Sequence, residues 1–347
     1  PETFDLRAAV YGKKTSAPHS SKVLWFAKLG SQTYGNPVVS GGRVIVGTND
    51  ALLDDMDGRV KKTRGGLILC FNVADGRRLW QLPVPRHKTD KKKCNLDDLN
   101  LGICSAATVE GDRVYLVTSR GEVVCLDAAG QSNGNDGPFK DEGSYMVRGD
   151  GLAVEVKPTD GDIIWRFDML SEAPTWPQDA TSSAVLIHDG LLYVGTSNGV
   201  DRSHKKVQYP DGPSLIALDK ATGRLVARDD EKIGRRLYHG QWSSPALGKV
   251  GDKTLIFFGG GDGVCYAFES VQRAVVKGAD RRVAILKKAW ASDCVPQEYR
   301  TRGGKLLPYN RKGDGPSEII ATPVFYKGRV YVAIGQDPAH GTGKGAM

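Results

Sequence analysis

Asn36-Pro37-Val38-Val39, Arg43-Val44-Ile45-Val46-Gly47, Leu67-Ile68-Leu69-Cys70-Phe71-Asn72, Asp75-Gly76 and Trp80 follow one another early in the chain. They read as a short strand opened by Pro, a second strand ending in Gly, a third ending in Asn before a turn, and a fourth marked by Trp. The same order returns four or five times. Repetition of a four-strand unit decides the architecture before any other argument, because four short antiparallel strands make one blade of a β-propeller.

The inner-strand anchors fall at Pro37, Ala107, Val185, Pro245 and Pro323, in steps of 70, 78, 60 and 78 residues. Compact propeller repeats run about 40–50 residues, so the connecting loops carry insertions. Second strands are expected at 113–117, 191–195, 255–259 and 329–333, and third strands at 123–127, 215–219 and 264–269. Each is short, rich in β-branched and aromatic residues, and bounded by Gly or Asp. Asp75-Gly76, Asp160-Gly161 and Thr222-Gly223 supply the tight turns between third and fourth strands. Trp80 and Trp165 come four residues after two of those glycines, and Ala227 holds the place in the third copy. A large ring recurring there is expected to pack between neighbouring blades. Trp25 and Trp290 look like further members of the series.

Ala217-Leu218-Asp219 followed by Thr222-Gly223, with Trp a few residues later in other copies, resembles the repeat of pyrroloquinoline-quinone-type propellers. That superfamily holds the quinoprotein alcohol dehydrogenases and the non-enzymatic outer-membrane assembly lipoprotein of bacteria. The resemblance covers about residues 23 to 335 and implies an all-β propeller of four-stranded antiparallel blades. About four and a half blades are visible, near 23–80, 81–165, 166–230, 231–290 and an incomplete 291–347, after an extension over 1–22. The expectation is a fragment of a seven- or eight-bladed ring. The rival is a five-bladed ring in which Val23–Leu29 completes the last blade.

Composition describes an ordinary water-facing chain: 25% charged residues and a mean hydropathy of −0.34. The net charge of +8 comes from 48 basic against 40 acidic residues. The densest basic cluster, Arg86-His87-Lys88 with Lys91-Lys92-Lys93, has no interleaved aromatics, so nucleic acid is not indicated. No apolar run has the length of a membrane span. A signal peptide is not visible, but the chain opens on Pro1, and the resemblance implies the periplasm or cell envelope.

Cys70 and Cys125 match Ala217 and Ala267 in strand position, and Cys265 precedes Ala267 by two residues. All three read as small buried apolar residues. Cys94 and Cys104 flank a short loop that a disulfide would close. No Cys-x-x-Cys and no adjacent cysteine pair occurs, so the neighbouring-cysteine disulfide that many quinoprotein alcohol dehydrogenases place over their cofactor is missing.

In a propeller, the segments before the inner strands and the loops after the second strands meet at one mouth of the channel. Here they bring Cys104, Asp179, His239, Gln241, Trp242, Glu318 and Asp337 as the candidate ligand site, with Asn49, Asp50, Asn198, Asp262 and His340 nearby. His239 and Glu318 have the chemistry of a base and acid or of metal ligands, and Trp242 that of a stacking surface. Structural hydrogen bonds, an ion pair and wedge packing are the rival roles. Two loops, 54–58 and 133–137, carry oxygen-rich residues, but neither follows the register of a calcium loop. The reading is a non-catalytic protein- or ligand-binding module of the bacterial envelope with no cofactor. The alternative is a pyrroloquinoline-quinone- and calcium-dependent dehydrogenase of alcohols or sugars, with Glu318 as base. Enzymatic activity stays open at this level.

Overall fold

The computed structural model describes residues 23–53, 58–87, 96–149, 151–272, 282–307, 316–335 and 345–347. Four antiparallel four-strand units succeed one another along them, each in meander order. The first holds β1 (Val38–Ser40), β2 (Arg43–Asn49), β3 (Gly66–Asn72) and β4 (Arg78–Val84). The second holds β5 (Thr108–Glu110), β6 (Arg113–Val117), β7 (Glu122–Asp127) and β8 (Asp162–Asp168). The third holds β9 (Leu186–His188), β10 (Leu191–Gly195), β11 (Leu215–Asp219) and β12 (Leu225–Arg228). The fourth holds β13 (Ala246–Val250), β14 (Lys253–Gly259) and β15 (Val264–Glu269); β16 (Ala284–Ile285) leaves it to pair in parallel with β12, and β17 (Lys288–Asp293) closes it. A small hairpin, β18 (Thr301–Arg302) and β19 (Lys305–Leu306), precedes a two-stranded unit of β20 (Val324–Tyr326) and β21 (Arg329–Tyr331). Among the described residues helix is confined to single turns such as Glu142–Tyr145. No closed ring is formed by the described residues.

Alternation along each strand divides its residues between two neighbouring blades. Val114 and Leu116 of β6 pack against blade one, whereas Tyr115 and Val117 pack against blade three. Leu192 and Val194 of β10 face blade two, and Leu191 and Tyr193 face blade four. The core is therefore a row of blade–blade interfaces, each buried from both sides. Phe257 of blade four continues the row by stacking on Phe325 of β20 at 5.6 Å between ring centroids.

One register recurs in all four blades. Cys70 lies opposite Trp80, Cys125 opposite Trp165, Ala217 opposite Ala227 and Ala267 opposite Trp290, and a bulge follows immediately in every case. The sequence match of Cys70 and Cys125 to Ala217 and Ala267 is thus a match of cross-strand position. Opposite side chains share a face of the sheet, so a small residue there leaves room for the indole carried opposite it in three of the four blades. The third strands end alike: Asn72, Asp127 and Asp219 accept the amide of the residue two further on, which turns the chain.

The tryptophans join consecutive blades. Trp25, Trp80 and Trp165 donate Nε1 to the carbonyls of Val73, Ala128 and Lys220, each the first residue after a third strand of the next blade. Each ring lies on a glycine of that turn: Gly76, Gly130 or Gly223, all with positive φ. Ala227 lacks the ring, and among the described residues blade four shows no glycine turn that would receive it. There the chain runs on from Glu269, Val271 donates its amide to the Tyr193 hydroxyl, and β16 covers the edge of β12. Val23–Leu29 is not hydrogen-bonded into a sheet, but Trp25, Ala27 and Leu29 face blade one as a fourth strand would.

Candidate functional site

Each segment before an inner strand is tied to the end of the preceding blade's second strand or the residues just after it. Ile103 N donates to Thr48 O at 3.2 Å, Thr181 Oγ1 to Thr118 O at 2.6 Å, and Ile319 N to Gly260 O at 3.3 Å. Between blades three and four, Val200 N donates to His239 O at 3.0 Å. The two sets of loops therefore meet at one end of the blades.

In the second to fifth units the residue four places before the inner-strand anchor plugs the blade behind it. Ile103 fills the space over Gly47, and Ile319 that over Gly259. Thr181 donates to Thr118 O at 2.6 Å. Gln241 is the polar plug of blade three: its Nε2 donates to Ser214 Oγ at 2.8 Å and to Asn198 O at 2.9 Å.

His239, Trp242 and Glu318 do come together. His239 and Glu318 are each 1% exposed, with Nδ1 and Oε1 4.0 Å apart. The Trp242 ring meets His239 edge-on at 5.0 Å, and its Nε1 donates to Gln178 O at 3.2 Å. The ring folds back over its own backbone, since a Cβ on Gly240 would stand 2.5 Å from it. His204 packs on the other side of His239 at 5.0 Å. The amide nitrogen of Gln178 lies 3.2 Å from Nε2 of both His204 and His239. Nε2 of each ring is thus placed to accept from this one amide. The acceptor oxygens Gln178 Oε1 and Gln241 Oε1 are enclosed and take no hydrogen bond among the described residues.

The other predicted residues lie elsewhere or are not described. Cys104 sits between blades one and two, with Sγ 3.7 Å from Gly102 O, and burial pushes its thiol up to about 12. Asp179, in the left-handed region at φ 53°, accepts the amide of Asp97 on its carbonyl. Asp337 and His340 fall outside the described residues, as do Cys94, the acidic stretch 54–57 and most of the basic loop. A Cys94–Cys104 bridge therefore lies outside them too.

Sequence reasoning missed His204, which occupies no repeat position, and two acid clusters of blade two, of which the second is partly exposed at Asp136. Glu122 accepts from Arg166 at 2.9 Å, Tyr145 Oη at 2.9 Å and Thr118 Oγ1 at 3.3 Å. This is an anchor for the insertion that carries Tyr145. In the second cluster, oxygens of Asp127, Asp136 and Asp162 lie within 4.8 Å of one another. These are the described side chains that have the spacing of a metal group. Asp127 is already held by Arg113 at 2.6 Å, and burial pushes Asp162 up to about 6.

The family profile described as outer membrane protein assembly factor BamB matches residues 12–132 and 131–272. No curated protein sequence matches the chain. Among solved structures, BamB from Moraxella catarrhalis is similar at 13% identity and a TM-score of 0.40, over 89% of this chain and 69% of that one. Quinohemoprotein alcohol dehydrogenase from Comamonas testosteroni is similar at 13% identity and a TM-score of 0.42, over 87% of this chain and 39% of that one. A europium-containing methanol dehydrogenase is similar at 13% identity and 0.44, over 90% and 49%. The chain spans less than half the length of either dehydrogenase.

Proposed function

The chain belongs to the family of the outer membrane protein assembly factor BamB, and from that premise we propose a non-catalytic propeller that binds a protein or small ligand in the bacterial cell envelope. The observation that carries the reading is the state of the channel-mouth groups. His239, Gln241 and Glu318 are each about 1% exposed and are engaged with neighbours inside the blade junctions. Buried polar groups that bond one another specify packing and offer a substrate little to meet. An assembly factor, by its name, works through the surfaces it presents to other proteins, and that is the role carried over here.

The quinoprotein alternative implies pyrroloquinoline quinone with calcium. These residues do not fit that group. Calcium asks for six to eight oxygens, and a flat quinone asks for an open slot. Trp242, the one stacking candidate, lies against His239 and the backbone at Gly240. No cofactor is proposed.

Purified protein incubated with pyrroloquinoline quinone and calcium should take up no quinone and reduce no artificial acceptor when given alcohols. Quinone-dependent turnover that disappears in Glu318→Gln would replace this reading with the dehydrogenase. The binding half is checked by photo-crosslinking from exposed blade positions in intact cells, which should yield discrete adducts with envelope proteins. A chain that forms none from any face is not a binding module there.

A further inference from the structure

Three guanidinium groups from three different loops converge on Asp98. Arg86, in the connection between blades one and two, binds its carboxylate through Nη2. Arg202, in the loop after β10 of blade three, reaches the same carboxylate at 3.1 Å. Arg64, in the loop after β2 of blade one, donates Nη2 to the Asp98 carbonyl at 3.3 Å. The Arg202 side chain is 52% exposed, and Leu99, the residue after Asp98, is 58% exposed. An apolar side chain thus stands at the surface next to a cluster of cations.

One carboxylate does not offset that cluster. The three loops, 50–65, 85–107 and 196–214, carry 12 basic and 9 acidic residues in the sequence. Two of the acids are buried. Asp50 accepts the amides of Thr63 and Gly65, and Asp97 accepts that of Gly102. Of the bases, Arg59 is held by Asp160 of the blade-two insertion. The rest of the surplus lies at the surface, where like charges repel and an anion from outside relieves the repulsion.

We propose that this cluster docks an acidic segment of a partner protein, whose carboxylate takes the place of Asp98 between Arg86 and Arg202 and whose apolar neighbour lies on Leu99. The proposal rests on the binding-module reading and names the chemistry of the partner. Guanidinium forks match carboxylates by two-point contacts, and arginine clusters recognise acidic motifs in this way. Asp98 already shows a carboxylate held by two of these forks. A nucleic acid strand also asks for stacking rings, and the basic stretch 86–93 carries no Phe, Trp or Tyr. A lipid surface is met by charges spread over a plane, whereas these guanidinium groups turn together onto one pair of oxygens.

The test is fluorescence anisotropy of a labelled peptide of Glu-Glu-Leu repeats against the intact protein. The peptide should bind, and binding should weaken as salt rises from about 0.05 M to about 0.5 M. Arg202→Glu should weaken it about tenfold, and Asp98→Asn, which removes the competing carboxylate, should tighten it about threefold. Lys253→Glu, an exposed change in β14, should leave it unchanged. An Arg202→Glu protein that binds as the wild type does overturns the proposal. So does an equal loss in Lys253→Glu, which is the mark of unspecific attraction, or weaker binding by an Asp98→Asn protein that melts as the wild type does. If Asp98→Asn melts early, the comparison of Arg202→Glu with Lys253→Glu decides alone. Phosphatidylglycerol vesicles that bind through Arg202 more tightly than the peptide make lipid the occupant and overturn it too. Failure of the peptide alongside discrete crosslinks to envelope proteins from other faces removes this inference and leaves the binding-module reading in place.

Discussion

A Cβ built on Gly130 stands 2.8 Å from Cγ of Trp80, while Trp80 Nε1 donates to Ala128 O at 2.9 Å. The glycine is needed twice over. Its φ is +60°, which an L side chain adopts at a cost, and the space a side chain would fill belongs to the indole of the blade before. Gly130→Val should therefore destabilise the protein by about 2–4 kcal/mol, combining backbone strain with overpacking. Urea denaturation checks it. A midpoint within error of the wild type would show that the ring is not held by this turn.

The two classes of tryptophan should separate by mutation. Trp80→Ala removes a fully enclosed ring and should cost about 3–5 kcal/mol. Trp290→Ala removes one that is 37% exposed and should cost under about 1 kcal/mol. Equal costs would mean that Trp290 already has a complete junction around it.

The strands and the Trp series were legible because they are enforced by local chemistry. Period-two alternation, small residues at Cys70 and Ala217, and Asp-Gly turns each act within a few residues. The inner-strand anchors accordingly fall one residue before β1, β5, β9, β13 and β20. The meeting of His239, Trp242 and Glu318 was legible too, since topology alone brings those loops to one end. What was not legible was depth. Nothing in a stretch reading His239-Gly240-Gln241-Trp242 reveals that Gln241 turns back into blade three as a plug, or that Gln178 and His204 enclose His239. Those contacts span 26 to 61 residues and depend on insertions that follow no repeat.

Cys70, Cys104, Cys125 and Cys265 are buried and form no disulfide among the described residues, and burial pushes each thiol up to about 12. Thiolate is the reactive form, so all four should resist alkylation at pH 8 until denaturant is added. Mass spectrometry of trapped peptides reads this residue by residue. Fast modification of Cys125 in the folded protein would contradict its place inside the junction of blades two and three.

Burial pushes Asp97 up to about 7, against the pull of its hydrogen bond from Gly102 N and of Arg86. Its Oδ2 takes no hydrogen bond among the described residues. The folded value lies above the unfolded one, so the folded state keeps a proton that the unfolded chain has released. The stability this contributes is full below about pH 4 and is lost as pH rises through 7. Asp97→Asn keeps the acceptor for Gly102 without the charge, so its melting temperature should gain on the wild type steadily from pH 4 to pH 8. Asp162 shifts in the same direction in both proteins and cancels in the difference. A difference flat in pH would show that Asp97 titrates as an exposed carboxyl does.

The mouth itself is best tested by exchanging plugs. Ile103 and Ile319 fill with an apolar side chain the place that Gln241 fills with an amide. Gln241→Ile gives up the bonds to Ser214 and Asn198, but it also removes the enclosed oxygen Oε1, so the two changes offset and stability should move by less than about 1 kcal/mol. Gln178→Leu removes an enclosed oxygen as well, but the groups it abandons are two imidazole nitrogens rather than a hydroxyl that can reorient. It leaves Nε2 of His204 and of His239 without the amide that both accept from, inside a junction where His239 is 1% exposed, and should cost about 2–4 kcal/mol. A plug and a clasp predict that ordering in denaturant melts. If Gln241→Ile proves as costly as Gln178→Leu, Gln241 belongs to the same network as His239 and the separation of the two roles is wrong.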